Sequence, residues 1–351
     1  MKNFSSLLCQ WYEQNKRDLP WRNTTDPYKI WLSEIILQQT RVAQGLPYYE
    51  KFVKELPTVF DFADASEERI LRLWQGLGYY SRARNMHTTA KKVAHELDGN
   101  FPDSYKELLK LKGVGTYTAA AIASFAFGEK VAVVDGNVYR VLARVFGIKN
   151  DIASSPAKKE FFELAQNLIS GDDPATHNQA IMEFGACYFT PKKPKCSICT
   201  FKISCIAYRD SLQSVLPVKN KKTKVRERYF HYLIFERGEQ MLLKPRPAGD
   251  IWQGLYDFFL LEGEKWKSET ELQAICPSGI LGEPSAIHKH QLSHQRLWVR
   301  FWRVEVEKPE VWQYLREKYM LQAFTEADVE ALPKPILIKN YLDARGQQLF
   351  S

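Results

Sequence analysis

The sequence predicts an all-α helical region followed by an α+β domain, and three observations carry this prediction. Up to about residue 215, apolar residues recur at helical spacing between short breaks that contain Pro, Gly or Asp. Residues 216–228 are polar and strongly basic, with Pro217 near their start, as is typical of a linker. Beyond them, short runs are rich in aromatic and β-branched residues. We therefore expect a helical region over 1–215, a linker over 216–228 and an α+β domain over 229–351.

Individual segments show these periodicities most clearly. The best helical patterns lie at 26–42, 67–77, 81–97 and 104–110. In the last third, two runs flank the turn-like sequence Arg237-Gly238-Glu239-Gln240 and predict a hairpin of strands 229–236 and 241–244. Further strands are expected over 255–262 and 297–306, and a closing helix over 335–344.

Composition limits the class of protein. The chain has 351 residues, enough for two domains, and its 45% hydrophobic and 26% charged content is that of a globular protein. We find no apolar run of membrane-spanning length and no signal peptide at the start, so we expect a cytoplasmic location. The net charge of +8 favours a polyanionic partner without proving one.

Basic residues are concentrated in two stretches, which taken alone predict no more than solvated loops. They are Lys192, Lys193, Lys195 and Lys202 in the first stretch, and Lys219, Lys221, Lys222, Lys224, Arg226 and Arg228 in the second. Nucleic acid becomes the better interpretation only together with motifs elsewhere.

A glycine-containing turn between two predicted helices indicates phosphate binding. In the stretch 111–121, Gly113 and Gly115 separate a helix end from an Ala-rich helix. Glycines let the backbone approach a phosphate, and free amides at the new helix start can hold the anion. The alternative is a simple tight turn. In a basic protein this context predicts a helix-hairpin-helix near 105–127 that grips DNA.

Two carboxylates have settings that suit glycoside chemistry. Asp135 follows an apolar run and precedes a helix, where the helix dipole would keep it ionised; it could equally be only an N-cap. Glu34 shares a helix face with Ile30 and Leu37, so burial would raise its pKa and suit it as a general acid. A surface glutamate on an amphipathic helix is the alternative for Glu34.

Together these motifs resemble a known family. The order WLSEIILQQT, GLGYYSRARN, GVGTYTA, VDGNVYRVLAR and a cysteine cluster is similar to that of the helix-hairpin-helix glycosylases, and within them of the MutY adenine glycosylases. The resemblance covers essentially the whole chain. It implies a monomeric base-excision enzyme that hydrolyses the N-glycosidic bond of adenine opposite 8-oxoguanine or guanine in duplex DNA, leaving an abasic site.

The resemblance also assigns roles to residues. Glu34 would protonate N7 of a flipped adenine and Asp135 would stabilise or transiently capture the cationic sugar, with Tyr117 and Asn137 near them. Endonuclease III-like relatives have a nucleophilic lysine at the position of Tyr117, so a monofunctional enzyme is expected here. Arg22 is assigned to the adenine pocket, and Gln39 and Tyr79 are assigned to insertion around the opposite base. Gly113 and Gly115 stay candidates for DNA binding through the glycine-containing turn.

The α+β domain resembles the Nudix-like domain of that family. The resemblance rests on GDIWQGLYDF and on the later stretch 288–294. No acidic REUxEExGU segment follows Gly254, so we expect no pyrophosphate hydrolysis. Where the family has a Phe-Ser-His loop that senses 8-oxoguanine, this chain has Leu292, Ser293 and His294. Ser293 and His294 are therefore candidates for reading the lesion strand; the alternative is a solvent-exposed loop.

Four of the six cysteines fall within nineteen residues, which favours a metal site over disulfides. Cys196, Cys199 and Cys205 match the last three ligands of the family's [4Fe–4S] pattern, C-x6-C-x2-C-x5-C. The first ligand position is occupied by Phe189, and Cys187 lies two residues before it. We expect a cluster in the loop 187–205 with Cys187 as fourth ligand. The alternatives are a labile three-cysteine cluster, a zinc site or no metal.

Two other functions remain open at this stage. One is a thymine-glycol or mismatch glycosylase of the same superfamily, against which Tyr117 and the C-terminal domain argue. The other is a DNA-binding protein without turnover. Phe189 supports that possibility, whereas Glu34 and Asp135 argue against it.

Overall fold

The computed structural model describes residues 3–169, 173–220 and 225–349. The chain forms two compact units. The helical unit comprises Met1–Asp64 and Asn85–Lys221, and the mixed unit comprises Ala65–Arg84 and Lys222–Ser351. No helix in the described ranges is long and apolar enough to cross a membrane.

Helices account for nearly all the regular structure before residue 210. They are α1 (Phe4–Asn15), α2 (Pro27–Ile36), α3 (Val42–Glu55), α4 (Val59–Asp64), α5 (Glu67–Trp74), α6 (Ser81–Glu96), α7 (Tyr105–Leu108), α8 (Thr116–Phe127), α9 (Gly136–Phe146), α10 (Ser155–Leu168), α11 (Pro174–Cys187) and α12 (Ile206–Arg209). One core cluster joins α1, α9, α10 and α11 through large buried side chains, among them Leu8, Val141, Phe161 and Phe184.

The predicted helix over 26–42 is two helices in the structure, and this corrects the sequence-based boundary. α2 ends at Ile36, a turn follows, and α3 begins at Val42. Gln39 adopts φ 57°, in the left-handed region, so the helix cannot continue through it. Helical spacing of apolar residues continues across the turn and conceals it. The predicted helices at 67–77 and 104–110 are likewise shorter, ending at Trp74 and Leu108.

The mixed unit is built on one sheet of eight strands among the described residues. Its strands are β1 (Arg226–Arg237), β2 (Gln240–Pro245), β3 (Tyr256–Asp257), β4 (Phe259–Gly263), β5 (Ile280–Pro284), β6 (His288–Gln291), β7 (Gln295–Glu305) and β8 (Gln322–Thr325). The order is β3-β2-β1-β7-β5, with β4 on β1, β6 on β7 and β8 on β2. Its later helices are α13 (Glu269–Gln273), α14 (Pro309–Tyr319), α15 (Glu326–Ala331) and α16 (Ile336–Leu349).

Two strand relationships define this sheet. The predicted hairpin is confirmed, because Arg237 pairs with Gln240 and leaves Gly238 in the turn at φ 58°. β1 pairs in parallel with β7, with Tyr232 opposite Phe301. Inward-facing aromatic residues of these two central strands form much of the domain core.

The segment Ala65–Arg84 lies with the mixed unit, a division that differs from the predicted helical region 1–215. Polar contacts hold it there: Arg84 donates to the carbonyl of Gln253 at 2.7 Å, and Gln75 accepts from the amide of Lys334 at 3.2 Å. The predicted linker is also divided. Residues 216–220 lie with the helical unit, β1 already begins at Arg226, and residues 221–224 fall outside the described ranges.

Candidate active site

A cavity of about 180 Å³ in the helical unit brings together the predicted catalytic residues. Its walls come from α2, α8, α9, α11 and the short helical turn Pro20–Arg22. Among the residues that line it are Arg22, Glu34, Tyr117, Asp135, Asn137, Gln179 and Glu183. Gln39 does not line this cavity; its side chain is exposed in the turn between α2 and α3.

Glu34 is buried in the wall formed by α2. Asp26 caps the start of this helix: its carboxylate accepts from the amide of Tyr28 at 2.9 Å, and Pro27 is at the first helical position. This start sets the register that turns Glu34 into the cavity, where it is only 6% exposed. Burial raises the pKa of Glu34 from its ordinary 4.5 to about 7, although the hydrogen bond from Tyr117 acts in the opposite direction.

Asp135 caps the start of α9, as the sequence indicates. Its carboxylate accepts from the backbone amides of Asn137 and Val138, both at 2.8 Å, and from the Asn137 side chain at 2.6 Å. These bonds and the nearby Arg140 lower the pKa of Asp135, but burial outweighs them and the net direction is upward. The cap thus offsets only part of the desolvation cost. The sequence-based expectation of a carboxylate kept ionised by the helix dipole did not include this cost.

Arg140 extends the cap of α9 to a neighbouring loop, and the sequence analysis missed it. Its guanidinium donates to Oδ1 of Asn137 at 2.7 Å, to the carbonyl of Gly185 at 2.9 Å, and to the carbonyl of Phe189. Spacing offered a clue, because Arg140 lies three residues after Asn137 on α9 and therefore on the same face.

A buried carboxylate between two arginines forms the opposite wall. Glu183 is 1% exposed and accepts from Nε and Nη2 of Arg17, both at 2.6 Å, and from Nη2 of Arg22 at 2.7 Å. Burial alone would raise its pKa, but the two arginines bring the pKa of Glu183 down to about 2. Sequence reasoning missed Glu183 and Arg17. The available clue was a charged residue on the otherwise apolar stretch AIMEFGA of α11.

Gln179 adds a polar group one helical turn before Glu183. Its Oε1 accepts from the hydroxyl of Tyr12 at 2.7 Å. The amide nitrogen is therefore the group that Gln179 can offer to a ligand in the cavity. Arg22, whose side chain is 14% exposed, supplies further donors at the same wall.

The turn of the predicted helix-hairpin-helix motif lies between α7 and α8. Gly113 has φ 77°, and a Cβ there would lie 2.7 Å from Cβ of Asn85, so both backbone conformation and packing require glycine. Gly115 is the N-cap of α8, and nothing lies within 4 Å of where its Cβ would be. The open space and the free amides of the α8 start leave room for a phosphate group to approach.

The predicted lesion-reading residues lie in the mixed unit. A second cavity, of about 360 Å³, is lined among others by Tyr79, Trp252, Ser293 and His294. The hydroxyls of Tyr79 and Ser293 are hydrogen-bonded to each other. Tyr79 has φ 46°, a left-handed conformation that an aromatic residue rarely adopts and that often marks a functional position.

The cysteines do not form the predicted set of four. Cys196, Cys199 and Cys205 interact electrostatically with one another. Cys187 ends α11, and its charged neighbours are instead Glu183 and the two arginines beside it. Within 3–169, 173–220 and 225–349, no group of three or more His, Cys, Asp or Glu residues could hold a metal ion. α11 remains helical up to Cys187, which lies four residues after Glu183 and therefore on the same helix face as Glu183.

Comparison with known proteins finds a family match for each of the two parts of the chain. Residues 32–169 match the HhH-GPD superfamily of base excision DNA repair proteins, and residues 231–344 match the NUDIX domain. The adenine DNA glycosylase of Buchnera aphidicola subsp. Baizongia pistaciae is 36% identical over 84% of either chain. The human adenine DNA glycosylase is 46% identical over 58% of this chain and 39% of the human protein.

Solved structures show the same helical architecture. A thermostable thymine-DNA glycosylase is 33% identical, with a TM-score of 0.55 over 60% of this chain and 96% of its own. A trapped endonuclease III–DNA covalent intermediate, 20% identical over the same shares, has a TM-score of 0.52 and shows the fold alone. The helical fold expected from the sequence is thereby confirmed.

Proposed function

Because the chain belongs to the family of adenine DNA glycosylases, we propose that it hydrolyses the N-glycosidic bond of adenine in duplex DNA as a step of base excision repair. The observation that carries the proposal is the pairing of Glu34 and Asp135 in one cavity. Glu34 is buried, with a pKa raised to about 7, and Asp135 is held by three hydrogen-bond donors. Two carboxylates in such different settings can divide acid and charge-stabilising duties.

Glu34 acts as the acid in this mechanism. With a pKa of about 7, a substantial share of Glu34 is protonated at neutral pH. It gives its proton to N7 of an adenine that has left the base stack, which makes the base a better leaving group. Tyr117 orients the carboxyl through its hydrogen bond to Oε2.

Asp135 then stabilises the positive charge that develops on the sugar. Its three donors hold the carboxylate in place, and Asn137 supplies two of them. Water completes the hydrolysis and leaves an abasic site. Tyr117 has no amine and cannot form a Schiff base with the sugar, so the enzyme is monofunctional and leaves the strand intact.

Arg22 and Gln179 recognise the base edge. Arg22 offers guanidinium donors and Gln179 its amide nitrogen, while Glu183 keeps Arg22 in position. Adenine presents ring-nitrogen acceptors to such donors. A pyrimidine lacks the N7 atom that Glu34 protonates, so it is a poor substrate for this pocket.

The preferred substrate is adenine opposite 8-oxoguanine or guanine, and the protein acts as a monomer on the DNA of the cytoplasm. Tyr79 and Gln39 enter the DNA near the opposite base, and Ser293 and His294 contact the lesion strand. The left-handed backbone of Tyr79 and its hydroxyl bond to Ser293 support this role. Backbone amides around Gly113 and Gly115 hold the phosphates, assisted by exposed lysines of the loop 192–202.

The [4Fe–4S] cluster expected from the family pattern does not fit the residues present. Its first ligand position holds Phe189, which is 5% exposed within the hydrophobic core, and Cys187 has Glu183 as a charged neighbour. Among the described residues, no group of three or more cysteines, histidines or carboxylates could hold a metal ion. Phenylalanine cannot coordinate iron. No step of the proposed mechanism depends on a cluster.

Single-turnover kinetics test the proposal. Duplexes carry adenine opposite 8-oxoguanine, guanine or thymine, and a fourth duplex carries thymine opposite guanine. We expect adenine release in the order 8-oxoguanine, guanine, thymine, with strand breaks only after alkali. Glu34→Gln should lose about 10²- to 10⁴-fold in rate, the usual contribution of a general acid. Ser293→Ala and His294→Ala should each reduce the ratio of the adenine-release rate opposite 8-oxoguanine to the rate opposite guanine.

Three results would argue against this function. Absence of adenine release from every duplex leaves a binding protein, and faster release of thymine than of adenine makes it a mismatch glycosylase. Strand breaks without alkali would contradict the monofunctional mechanism.

The matched control for Glu34→Gln is Glu13→Gln, because Glu13 is exposed and pairs only with Lys16 among the ion pairs observed.

A further inference from the structure

Phe189 occupies the place of a metal ligand, yet it is part of the hydrophobic core. Its side chain is 5% exposed, and the centroid of its ring lies 5.1 Å from the ring centroid of Phe184. The ring of Phe184 in turn packs edge-on against that of Phe201, with centroids 5.4 Å apart, and Phe201 stacks on Phe4, with centroids 4.7 Å apart. Both ends of the loop 188–205, here the three-cysteine loop, are thus anchored by aromatic side chains in one cluster.

A buried arginine fixes the backbone of the same loop. Arg144 is 2% exposed and donates only to carbonyls in the bonds observed: those of Phe189 at 3.3 Å, Thr190 at 3.1 Å, Pro191 at 3.3 Å and Leu216 at 3.0 Å. Arg140 donates to the Phe189 carbonyl as well. Charged donors hold these carbonyls strongly because the site is shielded from water.

Two of the three remaining thiols have partners within the protein. Cys205 donates to the carbonyl of Arg144 at 3.3 Å, and Cys199 accepts from the amide of Phe201 at 3.4 Å. Cys205 is buried and its S–H donates as that of a neutral thiol, whereas Cys199 is only partly buried and its sulfur accepts.

From the aromatic anchors and the arginine-bound backbone, we propose that the three-cysteine loop keeps its shape without a [4Fe–4S] cluster and that the protein contains none. Phe189 contributes packing where a thiolate would contribute a bond to iron. Its carbonyl also receives Arg140, which holds Asn137 beside Asp135. Packing of Phe189 therefore positions the active-site cap.

Iron content tests the first half of the proposal. The full chain is purified without oxygen and incubated with ferrous iron, sulfide and a thiol reductant, in parallel with a four-cysteine relative as the reconstitution control. Iron, acid-labile sulfide and visible absorption are then measured. We expect no cluster in the wild type, whereas Phe189→Cys restores the four-thiol pattern and is the matched variant for gain of a cluster. Stoichiometric iron and sulfide in the wild type would overturn the proposal.

Thermal unfolding tests the second half. Phe189→Ala should lower the melting temperature by more than about 5 °C, because a large core side chain is lost, and Phe189→Leu should lower it much less. Cys196→Ser should change it by less than about 2 °C. The reverse order, with Cys196→Ser the most damaging, would mean that ligation holds the loop and would overturn the proposal. Adenine release is scored separately, so loss of the proposed function remains distinguishable from presence of a cluster.

Discussion

The hydroxyl of Tyr117 donates a hydrogen bond of 2.6 Å to Oε2 of Glu34. This bond favours the ionised form of Glu34, whereas burial favours the protonated form and is the larger effect. The pKa of about 7 is therefore the outcome of two opposed contributions. Tyr117 fixes the direction of the carboxyl and limits how far its pKa rises.

Tyr117→Phe should move the pH dependence of the reaction to higher pH. Since the acid must be protonated, the single-turnover rate of the wild type should fall as pH rises through about 7. Removing the hydroxyl removes a bond that lowers the pKa of Glu34, so the falling limb should shift upward. Rate–pH profiles between pH 5 and 9 measure this. Tyr139→Phe, on the far side of α9 against Phe161, is the control; an unchanged or downward-shifted limb for Tyr117→Phe would refute the assignment.

Glu34→Gln should make the protein more stable at alkaline pH. The pKa of Glu34 is about 7 in the folded state and 4.5 ordinarily, so the folded state binds more protons between these values. The stabilisation from protonated Glu34 is complete below about pH 4.5 and is lost as pH rises through about 7. The difference between the two pKa values of Glu34 corresponds to a loss of about 3 kcal/mol in the free energy of unfolding. Urea unfolding of both proteins at pH 5 and 8 tests this, and a gap that does not widen with pH would contradict it.

Glu183→Gln should weaken both the fold and the base pocket. The change leaves Arg17 and Arg22 without the carboxylate that each now binds. Breaking the buried pair with Arg22 typically costs about 3–5 kcal/mol, whereas the pair with Arg17, whose side chain is 41% exposed, adds little. Arg22 also loses its support, so adenine release should slow by about 10²-fold. Glu13→Gln, at an exposed pair, should change the free energy of unfolding by about 0.5 kcal/mol or less. Equal effects of the two variants would refute a special role for Glu183.

The burial of Glu34 and the capping position of Asp135 could be predicted because each depends on local sequence: a helix face for Glu34 and a helix start for Asp135. The structure places both residues in one cavity, and their catalytic roles stay a prediction. The Glu183 pair could not be predicted in the same way. Arg17 and Glu183 lie 166 residues apart, and local periodicity carries no information about such a contact.

The fold class followed from periodicity, whereas boundaries depended on tertiary contacts. Hairpin residues Arg237 and Gln240 were identified because glycine in a short turn is a local signature. The grouping of Ala65–Arg84 with the mixed unit could not be identified in this way. It depends on contacts between residues that are far apart in the chain, such as Arg84 and Gln253. Gln39 shows the same limit: only the backbone dihedral reveals that α2 has ended.

Gly185→Ala should impair the site by displacing Asn137. An added Cβ would lie 2.7 Å from both Cβ and the carbonyl oxygen of Asn137, in the close contact between α9 and α11. Overpacking of this kind costs about 1–3 kcal/mol. Because Asn137 provides two of the three bonds to Asp135, a shift of about 1 Å should also slow adenine release by about 10²-fold.

The control for this change is Gly282→Ala, where the nearest atom to the new Cβ is 3.5 Å away, an ordinary contact. Single-turnover rates are measured well below the melting temperature, so that partial unfolding does not contribute. If Gly185→Ala unfolds at a lower temperature but releases adenine at the wild-type rate, α9 and α11 adapt without moving Asn137. Asn137 would then keep both of its bonds to Asp135, and the prediction that the added Cβ impairs the site would be wrong.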